Sequence, residues 1–453
     1  MPRISAPIRR SILVAGGILL LNACAESERP DPTGEAFFRG INAIPTAPSM
    51  NFKIEERNLE SLDYKQSSPA QRFDDFAYTF NFDYAPVGGG DEVRFASTFI
   101  DTLADQDYVA VLAGTFSAPE VFLWERADRI WDGTETIFQI DVGHVSLSTG
   151  EVDVYLDLVG TAPVLGSAVA TLSYGDFLPP IELAADDYVI TLTARDDPAD
   201  VILQTDTIVL PAAQTFTGIL FDADPNITGP AAFRLVNATG AVSELPDINS
   251  PPTVRFLHAA LGEVAIDISI NGDTANPIAS NVSFGEVTAD LAIPFGDVDL
   301  TYTEAGNPGV ILLEQTVGFI AGTRSTSLIN GTPGALAVTT LLDQRRRRAT
   351  NAIFRIANMS TNQTGVDLYL VEPGTDINND DVAPGLFNIV YPLNSATLRI
   401  AAGSYEIWLT VTNDKSMPLA GPVPLDFANG DTVAFTILDN VDPAIVDLLE
   451  YQR

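Results

Sequence analysis

The chain has one cysteine, Cys24, two histidines, His144 and His258, and three lysines among its 453 residues. No disulfide can close within it, cysteine-based zinc sites are excluded, and thiolate catalysis would have to use Cys24 itself. Two histidines leave little material for a nucleophile–base relay, and no Gly-x-Ser-x-Gly elbow occurs. "NVSFGE" and "TLSYGD" lack the first glycine of that motif and match each other as one repeated turn. Phosphate-cradling loops are also missing: "PVGGGDE", with Gly88, Gly89 and Gly90, precedes a strand instead of opening a helix. Basic residues number 24 against 60 acids, for a formal net charge of −36, which argues against nucleic-acid binding and against charge-driven adhesion to anionic lipid. Such acidity fits a solvated, aggregation-resistant surface. After the first two dozen residues no stretch sustains a helical period, and no second apolar run is long enough to cross a bilayer.

The amino terminus is the exception to this acidity. "MPRISAPIRR" carries three arginines and no acid, "SILVAGGILLL" is apolar but short for a membrane span, and "LNAC" follows. This arrangement reads as a secretory signal over residues 1–23, followed by a tether over 24–35. Leu21, Asn22, Ala23 and Cys24 resemble the bacterial lipobox, which implies cleavage before Cys24 and a diacylglyceryl group on its sulfur. Each acyl methylene contributes about 0.8 kcal/mol, so two or three chains would hold the protein stably. In Gram-negative lipoproteins of this kind an Asp after the cysteine favours the inner membrane; here Ala25 follows, and the outer membrane is expected.

Self-comparison of the remainder finds four units. Opening strands recur as "AFFRGIN", "TIFQIDVGH", "TVRFLHA" and "AIFRIAN", and closing strands as "APEVFLWER", "GPAAFRLVN", "PGALAVTTLLD" and "DPAIVDLLEY". Between them, segments such as "EVDVYLDL", "VAIDISI" and "SYEIWLTV" alternate apolar and polar residues, the mark of half-buried strands. Units over 36–130 (the most divergent), 136–244, 253–343 and 352–453, each with about seven short strands, predict an all-β chain of tandem immunoglobulin-like antiparallel β-sandwiches. Short linkers predict a rod with limited bending. "VRFLHAALGEVAIDISINGD" followed by "NVSFGEVTADLAIPFGDVDLTY" resembles the bacterial domain of unknown function 4397, with weaker copies in the second and fourth units. That resemblance implies an extracytoplasmic sandwich array and brings no activity with it.

His258 lies nine residues before Asp267, a spacing that raises the question of a catalytic pair. Aligned on Arg39, Arg255 and Arg355, however, His258 falls opposite Asn358 and Asn42, and Asp267 opposite Asp367 and Asn51. In the second unit, His144 stands nine before Asp153. An amide cannot shuttle protons as imidazole does, but both side chains offer a donor and an acceptor. These residues are therefore expected to form a structural polar brace that closes a strand-end turn.

Three readings remain. Asp222, Asp224 and Asn226 alternate like the start of an oxygen-ligand loop for calcium, although Ile227 and Phe233 occupy the places where an EF-hand needs Gly and Glu. "DINNDD", with Asp376, Asn378, Asp380 and Asp381, is a second acidic loop of this type. Arg345, Arg346, Arg347 and Arg348 form a basic linker patch, expected to be solvated while holding the third and fourth units in register, with docking onto lipid phosphate or an acidic partner as the alternative. No cofactor other than possible calcium is implied. The expected function is a non-enzymatic, lipid-anchored cell-envelope array for binding, adhesion or scaffolding, with the membrane, an envelope glycan or a protein as partner. The alternative is a polysaccharide-active enzyme or accessory module using acids at a domain interface. A concave cluster of carboxylates walled by Trp124, Trp131 or Trp408 would favour the alternative; burial of those tryptophans in separate sandwich cores would favour the first.

Overall fold

The computed structural model describes residues 31–453; the expected signal sequence over 1–23, with Leu21, Asn22 and Ala23, and Cys24 lie outside the described residues. All regular structure in it is strand. In the first unit the strands are Glu35–Asn42, Met50–Ile54, Arg57–Leu62, Gln71–Asp74, Ala77–Tyr84, Val93–Asp101, Gln106–Thr115 and Ala118–Ala127. One sheet has the order fourth, first, seventh, eighth, and the other third, second, fifth, sixth. The third and fourth units repeat that order, and the second keeps it with two added short strands, Ile208–Leu210 and Val242–Leu245. The common plan is thus eight strands, with one parallel ladder between the first and seventh: Phe37 lies opposite Asp107, Thr215 opposite Gln139, Thr253 opposite Arg324 and Ile353 opposite Thr432.

Each sandwich has its own core, built by inward alternation. In the first unit Tyr78, Phe80 and Phe82 of one sheet meet Phe38, Tyr108 and Ala110 of the other. In the third, Ile266, Ile268, Leu300 and Tyr302 meet Val254, Phe256 and Ile329. The outer faces of the two sheets differ. Strands Gln106–Thr115, Thr215–Asp222, Arg324–Thr332 and Thr432–Asp439 are buried almost end to end on both faces. Their outward residues form two further apolar clusters between units. Ile41, Val109, Val111 and Trp124 of unit one pack on Val145, Ile219 and Phe221 of unit two. Leu257, Ala259 and Leu328 of unit three pack on Ala357, Met359, Ala434 and Leu438 of unit four.

These contacts correct the expected rod. Sandwiches one and two lie side by side, as do three and four, because an apolar outward row left in water would forfeit its burial energy. The pairs are joined in turn: Thr228 N donates to Gly322 O at 2.8 Å, Ala349 N to Thr46 O at 2.8 Å, and Arg399 Nη2 to Ser49 Oγ at 3.0 Å.

Candidate functional site

The histidine question is answered by four brackets of the same bonding pattern. His258 Nδ1 accepts from Ala260 N at 3.3 Å, so Nε2 carries the proton and donates to Val264 O at 3.1 Å. His144 repeats this with Ser146 N at 3.2 Å and Gly150 O at 3.0 Å. Asn358 Oδ1 accepts from Ser360 N at 3.0 Å while Nδ2 donates to Gln363 O at 2.8 Å; Asn42 does the same with Ile44 N at 3.2 Å and Pro48 O at 3.4 Å. All four are fully buried at the end of the first strand, where the chain leaves the sheet and its backbone groups need partners.

Asp267 is not part of that bracket. It sits on the second strand, in the opposite sheet, and clamps two turns there: Oδ1 accepts from Asn281 N at 2.7 Å and Oδ2 from Gly306 N at 2.8 Å. Asp367 holds Asn388 N at 2.7 Å and Asn413 N at 2.9 Å, and Asp153 holds Thr171 Oγ1 at 2.5 Å and Asp196 N at 2.8 Å. Asn281, Asn388, Asn413, Asp196 and Gly306 all have positive φ, the strained turn positions that such a clamp fixes. In unit one Asn51 instead donates to Glu92 Oε1 at 2.6 Å. A third repeated device is a hydroxyl post: Ser68, Thr288 and Ser395 accept from the first-strand amides of Gly40, Phe256 and Ile356 at 2.9 to 3.0 Å. The recurring Ser or Thr beside the fourth strand was its sequence signal.

Burial keeps both imidazoles neutral by pushing their pKa below the usual 6.5. The folded state therefore binds fewer protons than the unfolded one, so this contribution to stability is complete above about pH 6.5 and declines as pH falls below it. Against a His144→Asn/His258→Asn variant, whose carboxylates are unchanged, the parent should lose more stability between pH 7 and 5 in denaturant titrations. His258→Asn should cost roughly 1 kcal/mol, whereas His258→Leu, leaving two buried backbone groups unpaired, should cost about 2–4 kcal/mol.

Charged residues concentrate at the unit interfaces. Arg126, from the eighth strand of unit one, donates from Nη2 to Asp107 Oδ2 at 2.6 Å, from Nη1 to Thr217 Oγ1 of unit two at 3.1 Å, and also to Asp141 of unit two. Asp141 is wholly buried, which pushes its carboxyl pKa up against the opposing pull of Arg126. Arg39 completes the group, reaching Asp107 at 3.3 Å and Asn237 O of unit two at 3.2 Å. In the second pair Arg255 plays the part of Arg39, with Asp343 Oδ2 at 3.0 Å and Tyr451 O of unit four at 2.7 Å, and Arg355 reaches back to Leu342 O at 2.9 Å. The Arg of the opening strand is thus an interface residue.

The arginine run is not a solvated linker. Arg346 and Arg348 are 6% and 8% exposed and converge on Asp63 of unit one, with Arg348 Nη2 at 2.8 Å. Arg346 Nη1 also donates to Pro45 O and Ala47 O, each at 2.9 Å. Burial acts to raise the Asp63 carboxyl, but Arg346 and Arg348 bring it below the ordinary value. Arg345 binds Asp290 at 2.7 Å and Asp343 at 2.6 Å, and Arg347 is exposed. Apart from Asp343, the partners come from distant parts of the chain, so the run bolts the junction of the units.

The calcium reading is corrected by the same geometry. Asp222 accepts from Ser148 N at 2.8 Å and Ser146 Oγ at 2.7 Å; Asp224 pairs with Lys65 Nζ at 3.1 Å; Asn226 Oδ1 accepts from Arg346 N at 2.9 Å and from Arg345 N. These oxygens face hydrogen-bond donors and an ammonium, an environment that repels a cation. Among the described residues no three His, Cys, Asp or Glu side chains form a group that could hold a metal ion. In the second acidic loop Asp376 Oδ1 accepts from Asn378 N at 3.0 Å, and Lys415 Nζ spans the loop to Asn379 O at 2.8 Å.

Cavities gather at these boundaries. One of about 320 Å³ lies where Lys65, Asp224, Arg234, Glu244 and Arg346 meet, and an apolar one of about 290 Å³ adjoins it across Ile227 and Leu342. Trp124 is buried between units one and two, stacked on Phe177 at 4.8 Å, and belongs to no sandwich core. Trp131 lines a cavity of about 300 Å³ with Asp107 and Asp128, but the Arg129 guanidinium lies over its ring at 4.6 Å. Trp408 lines one of about 380 Å³ on unit four with Asp376, Asn378 and Lys415.

Residues 252–369 match the family model described as Domain of unknown function (DUF4397). No curated protein matches the chain. Among solved structures, family 41 carbohydrate-binding modules from streptococcal virulence factors, described as recognising alpha-glucan, match at 11% identity over 43% of this chain and 99% of theirs, with a TM-score of 0.16. The Bacillus anthracis TIE protein matches at 10% identity over 90% of this chain and 69% of its own, with a TM-score of 0.15. The pneumococcal glycogen-degrading virulence factor SpuA matches at 9% identity over 84% and 37%, with a TM-score of 0.14. At these scores the likenesses say nothing about ligand or activity.

Proposed function

We propose that the chain is a non-enzymatic cell-envelope lipoprotein, held at the outer membrane through Cys24, whose four sandwiches serve as one rigid binding or scaffolding body. The observation that carries this reading is the exchange of His for Asn within one bracket. Both histidines are spent on turn closure, in the same two bonds that Asn42 and Asn358 make. Packing of the units through apolar clusters and buried ion pairs adds the rigidity. The cavity beside Trp408, which combines an aromatic side chain with polar ones, suits an envelope glycan. Acyl labelling with and without globomycin tests the anchor: Cys24→Ala should abolish labelling and release the protein from the membrane fraction. A Cys24→Ala chain that stays fully membrane-bound would refute it.

The polysaccharide-active alternative draws on one observation, the cavity shared by Trp131, Asp107 and Asp128 at a domain interface. Burial, and then Asp107 beside it, push the Asp128 carboxyl up, as a general acid requires. Asp107, however, is already committed to Arg39 and Arg126. Loss of envelope-polysaccharide turnover in Asp128→Asn, with the fold intact, would select this reading.

A further inference from the structure

We infer that the tether end of the first sandwich pair is a second membrane contact, in which an uncharged loop of unit two enters the interfacial layer of the bilayer. The inference rests on the lipid-anchor reading and adds a site to it. No charged residue occurs between Asp157 and Asp176, in a chain carrying 60 acids and 24 bases. Within that stretch, the connection between strands Val152–Leu158 and Ala170–Leu172 exposes Leu158, Val159, Val164 and Leu165, at 47% to 63% each. Topology does not demand this. The same connection is a tight turn of Glu55 and Glu56 in unit one and an acidic loop with Asp376, Asp380 and Asp381 in unit four.

Backbone bonds trace the loop to the end where the described chain begins. Val159 N donates to Asp187 O at 3.3 Å, and Ala185 N, two residues earlier, donates to Thr136 O at 2.9 Å in the linker from unit one. That linker begins at Asp128, whose amide donates to Asp105 O at 2.9 Å, and Asp105 N donates to Glu35 O at 2.8 Å. The same end exposes Leu103, Val209 and, at 85%, Ile130. From Cys24 to Thr33 an extended chain reaches about 30 Å at most. A lipid on Cys24 therefore keeps this end close to the bilayer, and exposed apolar side chains brought there gain burial by entering it. The exposed charges beside the loop, Asp132, Asp186 and Asp187, are acidic, and the arginines at this end, Arg72 and Arg129, are paired with Glu35 and Glu182, so the contact is apolar in origin and favours uncharged headgroups.

Because Cys24 is the only cysteine, an acylated chain offers no free thiol, and Leu165→Cys introduces a single site for a nitroxide. The lipidated chain would be reconstituted into phosphatidylcholine–phosphatidylethanolamine vesicles, with Val441→Cys on unit four as the exposed control and the parent as the blank. The label at 165 should collide with a water-soluble nickel chelate at least about threefold less often than the label at 441, and with oxygen more often. Adding phosphatidylglycerol should weaken the shielding. Equal nickel access at both positions, in a chain shown by mass spectrometry to carry acyl groups on Cys24, overturns the inference and leaves the anchor standing. Shielding at 165 in a Cys24→Ala chain upholds the loop contact and shows that it holds without the anchor. Shielding that persists in a Cys24→Ala/Leu165→Cys chain in buffer free of vesicles and detergent points to a fold of the loop onto the protein and also overturns it.

Discussion

Replacing Arg126 by methionine should destabilise the first sandwich pair by about 3–5 kcal/mol, because it leaves Asp141 charged in a wholly buried place with no cation bonded to it. Methionine keeps much of the stem volume, so the loss reports charge more than packing. Four linked sandwiches need not unfold as one, so the effect should appear in calorimetry as an early transition of units one and two ahead of units three and four. Adding Asp141→Leu should restore most of the loss, since Arg39 and Asp107, 3.3 Å apart, remain as a balanced pair. The pH dependence has a definite sign. The raised pKa of Asp141 means that the folded state binds more protons than the unfolded one above the ordinary value of 3.8, so its contribution falls as pH rises through that window. Without Arg126 the window extends upward, and the gap between variant and parent should narrow on acidification. A gap that does not change with pH would mean that losing Arg126 leaves the protonation of Asp141 unchanged.

What the sequence shows of this protein is divided by range. The cores were legible because they depend on alternation within single strands, as in "EVDVYLDL", whose Val152, Val154 and Leu156 all enter one core. The unit interfaces were not read, although they left a trace: "QDYVAVLAGT" is apolar at successive positions where a one-sided strand would alternate, which is how a strand buried on both faces appears. The nine-residue spacing of His258 and Asp267 suggested one brace, but the first and second strands of each unit belong to opposite sheets, and the two side chains serve separate turns. The arginine run appeared solvated because the anion of its two buried members is remote; Asp63, which takes Arg346 and Arg348, lies in unit one. Asp222, Asp224 and Asn226 likewise have the spacing of a cation loop, while their donors, Ser148, Lys65 and the Arg346 amide, come from three other segments.

The same interface makes Trp124 the second position of large expected effect. Its ring lies parallel to Phe177, 6° between planes, and its Nε1 donates to Gly175 O at 3.3 Å across the boundary between units one and two. It rests on Gly143, where an added Cβ would come within 2.2 Å of the ring. Trp124→Ala should cost about 3–5 kcal/mol through lost burial and the void left behind, read as separation of the unit-one and unit-two transitions. Gly143→Ala should be costly alone because the new methyl meets the indole. In the double variant the methyl occupies part of the vacated space, and the φ of Gly143 is not in the positive range that would strain alanine. The two changes should therefore compensate, with a coupling of roughly 1–3 kcal/mol in a double-mutant cycle. Additive costs would place the indole away from Gly143 in solution and deny that this ring locks the first pair together.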